Sequence, residues 1–354
     1  MKILFIGETW KGSSARSLRE GLDSIPGVLI DEVGEDHYRP HYKSKILRLL
    51  NRISSRWQIA DLEDEILRKI DSFAPDVLLV YKGSAISAHF LQKVKTTDLL
   101  LVNIFPDQSP HAHGKALRRA IGFYDYVIST KPFHPAKWQS VYGYSNPCIC
   151  VPHGYDPAVH YWANAPDFQE FDVALAASWR QEYHELMLAF AAAIDGLPIR
   201  VALSGPGWCE RRAEFPPSWE FHGPIYGRSY GTWLRRAKIV IAPVHTQVVV
   251  KGHSQPGDQD TTRSYELAAA GYFFLHRDTP YIRTVYDEQT EVPMWKDAHD
   301  LAMLVQKYLP LESIRHEMAA KAHCRAVPAY SIPSRALKIH AVIQECVNIR
   351  SSIL

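Results

Sequence analysis

TTRSYELAAAGYFFL, residues 261–275, sets a polar start, an arginine and a carboxylate ahead of three alanines, a glycine and an apolar run. Its first part reads as a helix, and YFFLHRD (272–278) as the strand that follows. KIVIAPV (238–244) supplies a strand before the helix. Both strands are continuously apolar rather than alternating, which is the pattern of a parallel sheet covered on both faces.

The same alternation extends outward. FDVALAAS (171–178) and IRVALSG (199–205) read as strands, and EYHELMLAFAAAI (182–194) and SYGTWLRRA (229–237) as helices. HDLAMLVQKYL (299–309), SIRHEMAAKAHCRAV (313–327) and RALKIHAVIQECVNI (335–349) continue as helices. Upstream, KILFIG (2–7), DVLLVYKG (76–83), LLLVNIFPD (99–107), YDYVIST (124–130) and CICVPHG (148–154) are strands separated by helical spacing. A charged helix is expected over 42–71, with Ile46, Leu49, Leu50, Leu62 and Ile66 as its apolar stripe. The turn-rich tract 155–169 is the expected linker. The resulting division is an N-terminal Rossmann-like domain at 1–160, a second at 170–328, and a final helix at 329–354.

Composition narrows the function. Forty Lys plus Arg against 38 Asp plus Glu give a formal charge of +2, which is no footprint for wholesale nucleic-acid binding. Five cysteines, two of them one residue apart, suit reduced thiols better than a disulfide framework and point to the cytoplasm. No run approaches the length of a membrane span, which leaves peripheral attachment open.

Ligands of open parallel sheets gather beyond the carboxyl ends of the strands. Thr261, Thr262 and Arg263 fall at a helix start, where free amides and the dipole favour phosphate. Arg263 can add a charge-assisted contact to the same group. Glu266, within the first turn, can accept both hydroxyls of a ribose. The competing reading is a capping box in which Glu266 satisfies an orphan amide. Gly12 and Ser13 follow the first strand as a phosphate or sugar loop, or as an ordinary turn. Ser178 and Arg180 close the strand at 171–178, and Gly205 opens the loop SGPGW; Arg180 either reaches a diphosphate or faces solvent as a cap. Asp107 and His111, just past a strand end, are candidates to activate an acceptor hydroxyl. Asp258-Gln259-Asp260 has the look of a metal–nucleotide motif but lies in a long loop, so no metal is expected.

Three blocks, residues 124–160, 171–187 and 261–309, together with the FIGETWKGSS loop, resemble the CgeB/YkvP-like glycosyltransferases, a bacterial branch with the two-domain GT-B fold. The resemblance implies two Rossmann-like domains facing each other across a cleft, with the C-terminal helix crossing back to the first. It implies transfer of a sugar from a nucleoside-diphosphate sugar (UDP, GDP or dTDP) to a hydroxyl of a glycan, glycopeptide or small molecule, without cofactor or metal. Glu266 then grips the ribose, Arg263 and Arg180 face the diphosphate, and Gly12 approaches it from the first domain. Many related retaining enzymes carry two glutamates with seven residues between them; counting back from Glu266, Asp258 stands at the other place, so its sugar-facing role is open, while family likeness favours retention. An epimerase or hydrolase of related fold and a non-catalytic nucleotide-sugar-binding assembly protein remain as alternatives.

Overall fold

The computed structural model describes residues 1–10, 12–38, 45–96, 98–163, 169–250 and 252–353, with the backbone alone at 45–56, 114, 253, 351 and 353. The stripe residues Ile46, Leu49 and Leu50 and part of the expected linker, 164–168, therefore lie outside the described side chains. The chain forms two compact units. One comprises 1–153, 247–256 and 332–354; the other comprises 154–246 and 257–331.

The first unit is built on six parallel strands: β1 (Lys2–Gly7), β2 (Leu29–Gly34), β3 (Val77–Tyr81), β4 (Leu100–Phe105), β5 (Tyr126–Ser129) and β6 (Cys148–Cys150). Their order is β2-β1-β3-β4-β5-β6. Successive side chains of a strand point to opposite faces, so each strand feeds two cores. Leu4, Ile6, Leu78, Val80 and Leu101 pack with Leu62 and Ile66 of the helix Lys45–Phe73 and with Phe90, Leu91 and Leu117. Ile3, Phe5, Val77, Leu79 and Val102 pack with Leu18 and Leu22 of the helix Ser14–Asp23 and with Ala336, Ile339 and Ile343. Those last three belong to the helix Ile332–Ile353, so the chain ends on the first unit's sheet. Burying one such isoleucine is worth about 1.5–3 kcal/mol.

The second unit has β7 (Phe171–Ala176), β8 (Val201–Ser204), β9 (Glu220–His222) and β10 (Ala237–Ala242). A short antiparallel hairpin follows, β11 (Gln247–Val250) with β12 (His253–Pro256), and then β13 (Phe274–Arg277) and β14 (Met294–Trp295). The sheet order is β14-β13-β10-β7-β8-β9, all parallel, as in a dinucleotide-type Rossmann sheet, and the order reverses between β7 and β10. Val173, Leu175, Ile239 and Ile241 face one core, with Met187 and Phe190 of the helix Gln181–Ala193. Ala174, Ala176, Val240 and Ala242 face the other, with Leu267, Ala268 and Ala269 of the helix Thr262–Ala269. Alanines on both partners let that helix lie close on the sheet.

Several details depart from the sequence reading. β2 (LIDEVG) goes unpredicted because its exposed, acidic residues break the apolar run. The long loop read at 244–259 is no plain loop: its hairpin β11–β12 groups with the first unit, and Ser109 donates to Gln255 Oε1 at 2.6 Å. Within the expected linker, Tyr155 is buried in the second unit's core and bridged to Ser331.

Candidate functional site

The helix Thr262–Ala269 begins where β7 and β10 diverge. Arg263 fixes that junction: its Nε donates to the Ala176 carbonyl at 3.1 Å and its Nη1 to the Pro243 carbonyl at 3.3 Å. Those carbonyls sit at the carboxyl ends of β7 and β10, so one guanidinium closes the switch point of the sheet. The planar guanidinium sets Nε and Nη1 so that both carbonyls are met at once.

The capping question resolves on Ser264. Its hydroxyl accepts from the Thr261 backbone N–H at 3.0 Å and lies 2.7 Å from His276 Nε2. His276 Nδ1 in turn lies 2.7 Å from the Arg277 carbonyl and must donate to it, which leaves Nε2 to accept the serine proton. Complete burial pulls the His276 pKa down to about 4, so the ring is neutral. Because Ser264 holds the cap, Glu266 is released from it. The Glu266 carboxylate is 19% exposed, with Oε1 3.9 Å from His160 Nε2. Tyr230 stands edge-on to His160 with ring centroids 6.1 Å apart; burial raises its hydroxyl pKa, Glu266 adds to the rise, and Arg263 opposes it.

Arg180 and Ser178 are exposed just past β7. Arg180 is the N-terminal cap residue of Gln181–Ala193, and its side chain makes no hydrogen bond or ion pair among the described residues. Tyr183 lies in the field of this corner: burial raises its pKa, Arg263 and Arg180 oppose the rise, and Asp258 and Glu182 support it. Asp258 is placed by its backbone N–H donating to the His245 carbonyl at 2.7 Å. Glu182 is bound to the His245 ring and accepts from Thr246 Oγ1 at 2.7 Å, which pins the strand-end loop. Gly205 has φ +139°, and a Cβ there would stand 2.1 Å from the Ala177 carbonyl oxygen, so the SGPGW turn presses directly on the end of β7. Trp208 of the same turn is buried and donates to that carbonyl at 2.7 Å.

Asp260, the second acid of the Asp-Gln-Asp stretch, is fully buried and accepts from the Tyr265 hydroxyl at 2.6 Å. It is a structural anchor of the loop. Among the described residues no group of three His, Cys, Asp or Glu side chains converges as a metal site would require.

In the first unit, Gly12 (φ +101°) turns the chain after β1, and Ser13 caps the helix Ser14–Asp23 by accepting from Ala15 N–H at 3.2 Å. The Ser13 hydroxyl also donates to Glu8 Oε2 at 3.3 Å, as does the Trp10 indole at 2.9 Å. Asp107 Oδ2 is 2.8 Å from Lys82 Nζ and 3.0 Å from His113 Nε2. Burial pushes its pKa up, but His113 and Lys82 outweigh that and hold it well below the usual carboxylate range. His111 instead stacks edge-on against Tyr142, with centroids 5.6 Å apart. The structure thus brings His113, not His111, to Asp107.

Sequence reasoning passed over His160, Tyr183, Glu182 and Tyr230, because none of them stands in a glycine loop or is itself a cap residue. His160 stands six residues beyond the glycine of VPHG in a tract that reads as linker.

A family model described as glycosyl transferase-like matches residues 180–341. No curated protein matches the chain. Among solved structures, sucrose-phosphate synthase from Thermosynechococcus elongatus superposes with a TM-score of 0.67 at 13% identity, covering 98% of this chain and 99% of that one. HepE of Anabaena, solved with UDP and glucose, gives 0.65 at 13% identity over 98% and 100% of the two chains. A glycosyltransferase from Rickettsia africae gives 0.64 at 11% identity over 97% and 98%. The chain has the two-domain GT-B architecture of these proteins.

Proposed function

We propose that the protein is a glycosyltransferase that moves a sugar from a nucleoside-diphosphate sugar to an acceptor hydroxyl. The observation that carries this reading is the start of the helix at Thr262: Arg263 closes the sheet's switch point while Glu266, freed from capping, offers its carboxylate beside it. The glycosyl transferase-like match over this unit, and the UDP and UDP-glucose bound by HepE, support a nucleotide-sugar donor here.

In this reading the second unit holds the donor. Glu266 accepts from the ribose hydroxyls, and Arg180 and the helix-start amides stabilise the charge that grows on the departing diphosphate. Arg263, whose guanidinium also binds two carbonyls, orients this corner and adds its positive field. These cationic groups supply the charge stabilisation, so the reaction is proposed to run without a metal. The acceptor oxygen bonds to the anomeric carbon as the bond from that carbon to the β-phosphate oxygen breaks. Asp107 is held ionised by Lys82 and His113 and is a weak base, which fits an orienting role; the departing phosphate then takes the acceptor proton, consistent with retention. The CgeB-like assignment, glycan or glycoconjugate biosynthesis and a cytoplasmic setting complete the proposal.

Thermal melts with UDP, GDP and dTDP test the donor half, because a ligand of the native state raises apparent stability by mass action. One diphosphate is expected to raise the midpoint, and acceptor-dependent release of that diphosphate from its sugar is expected in turn. If none of the three shifts the melt, the reading is wrong.

A further inference from the structure

The carboxyl ends of four strands in the first unit, together with the C-terminal helix, bring cations to one place. Lys82 follows β3, Asp107 follows β4, Lys131 follows β5, His153 follows β6, and Arg335 lies in the first turn of Ile332–Ile353. Contacts link them. Lys82 and His113 hold Asp107 at 2.8 and 3.0 Å; Lys131 Nζ and Thr130 Oγ1 lie 3.2 and 3.1 Å from His153 Nε2; Arg335 Nε donates to the His153 carbonyl at 3.0 Å. An ammonium can only donate, so His153 Nε2 is an acceptor and its ring proton sits on Nδ1. The ring is neutral: burial, Lys131 and Arg335 all disfavour its charged form, against Asp107.

The framework beneath is rigid. Lys131 N–H donates to Ser129 Oγ at 2.9 Å, Ser129 Oγ is 2.5 Å from His134 Nδ1, and His134 Nε2 is 2.9 Å from the Gln108 carbonyl. Lys82 itself is held at φ +62°, a left-handed conformation that a residue with a side chain adopts at a cost. The Lys82 N–H donates to the Ile104 carbonyl at 2.8 Å, and Asn103 Nδ2 donates to the Lys82 carbonyl at 3.2 Å. Lys131 is 4% exposed and Arg335 6%, whereas the side chains of Lys82, Asp107 and His113 are 35, 33 and 25% exposed, so the cluster has a buried cationic floor and an open rim.

From this geometry we propose that the first unit carries an anion site, and that the acceptor is a sugar or polyol bearing a phosphate or carboxylate. The clause that the ligand is an acceptor rests on the transfer reading; the anion site itself does not. Lys82 meets the anion at the rim, Lys131 and Arg335 add their charge from the buried floor, and Asp107 and His113 receive the neutral hydroxyls. Parallel sheets bind ligands at this edge, and a clustered positive field recruits them.

Isothermal titration of the full chain with glucose 6-phosphate, glucuronate and glucose tests it, with a UDP titration of the same preparation alongside. The charged sugars are expected to bind and glucose to bind at least tenfold more weakly; the stronger of the two charged sugars separates phosphate from carboxylate. Arg335→Gln and Lys82→Met should each weaken the charged ligand at least tenfold without altering UDP binding. If Arg335→Gln fails to fold, the rim variant Lys82→Met decides. Equal binding of glucose and glucose 6-phosphate, no binding of either charged sugar, or unchanged affinity in the folded variants would overturn the anion site. Absence of binding by UDP, GDP and dTDP alike, with glucose 6-phosphate binding intact, would remove the transfer reading and leave the site standing.

Discussion

Arg263 Nε reaches the carbonyl of Ala176, a residue 87 positions earlier in the chain, at 3.1 Å. With Nη1 on Pro243, this makes the arginine at once a strut of the sheet and a charge at the proposed donor site. Arg263→Lys keeps the charge but cannot span both carbonyls. We expect a stability loss of about 1–3 kcal/mol, as for buried acceptors left unmet, together with weaker nucleotide binding. Urea melts beside a UDP titration check it; a lysine variant as stable as the parent would show that the strut has no structural weight.

Glu266→Ala separates binding from folding. The carboxylate has no cap to lose, so the melting midpoint should hold within the small range of surface substitutions. Losing hydrogen bonds from a charged acceptor, worth about 1.5–3 kcal/mol, should weaken UDP roughly 10- to 100-fold. Calorimetry reads this directly, and unaltered UDP affinity would remove Glu266 from the site.

Gly205→Ala places a methyl 2.1 Å from the Ala177 carbonyl oxygen at a backbone angle side chains avoid. The expected cost is about 3 kcal/mol or more, at the upper end for single substitutions. A denaturant melt within 1 kcal/mol of the parent's would mean the SGPGW turn yields more easily than its geometry indicates.

Acid should destabilise the protein through buried imidazoles. His276 and His134 both have folded pKa values pulled down to about 4 from 6.5, chiefly by burial. Their stabilisation is complete above pH 6.5 and is lost as pH falls toward 4, since the unfolded rings take protons first. Between pH 7 and 5 each ring should cost about 2 kcal/mol. Urea melts at the two pH values measure the slope. His276→Gln should flatten it by one ring's share; an identical slope would mean His276 charges freely in the fold.

Much of the architecture is legible in the sequence because buried parallel strands are apolar throughout: KILFIG, FDVALAAS and KIVIAPV fall within two residues of β1, β7 and β10. LIDEVG and the hairpin at 247–256 escape because they are edge or paired segments whose residues are polar or exposed. Of the candidate site, the placement of Arg263 and Glu266 near a helix start is legible in the sequence. The cap partner is not: the capping reading of the sequence puts Glu266 in that role, and the buried His276 that meets Ser264 comes from the following strand. Likewise, HAH presents two histidines to Asp107, and only the short 3₁₀ turn Pro110–His113 determines which one meets it.

The helix Ile332–Ile353 supplies Ala336, Ile339 and Ile343 to a core begun by Ile3 and Phe5. During synthesis, then, β1 waits for the much later helix Ile332–Ile353 to leave the ribosome before its hydrophobic face is sealed. A transcript truncated near codon 331 would release an intact second unit joined to a first one with naked apolar surface, prey to chaperones and proteases.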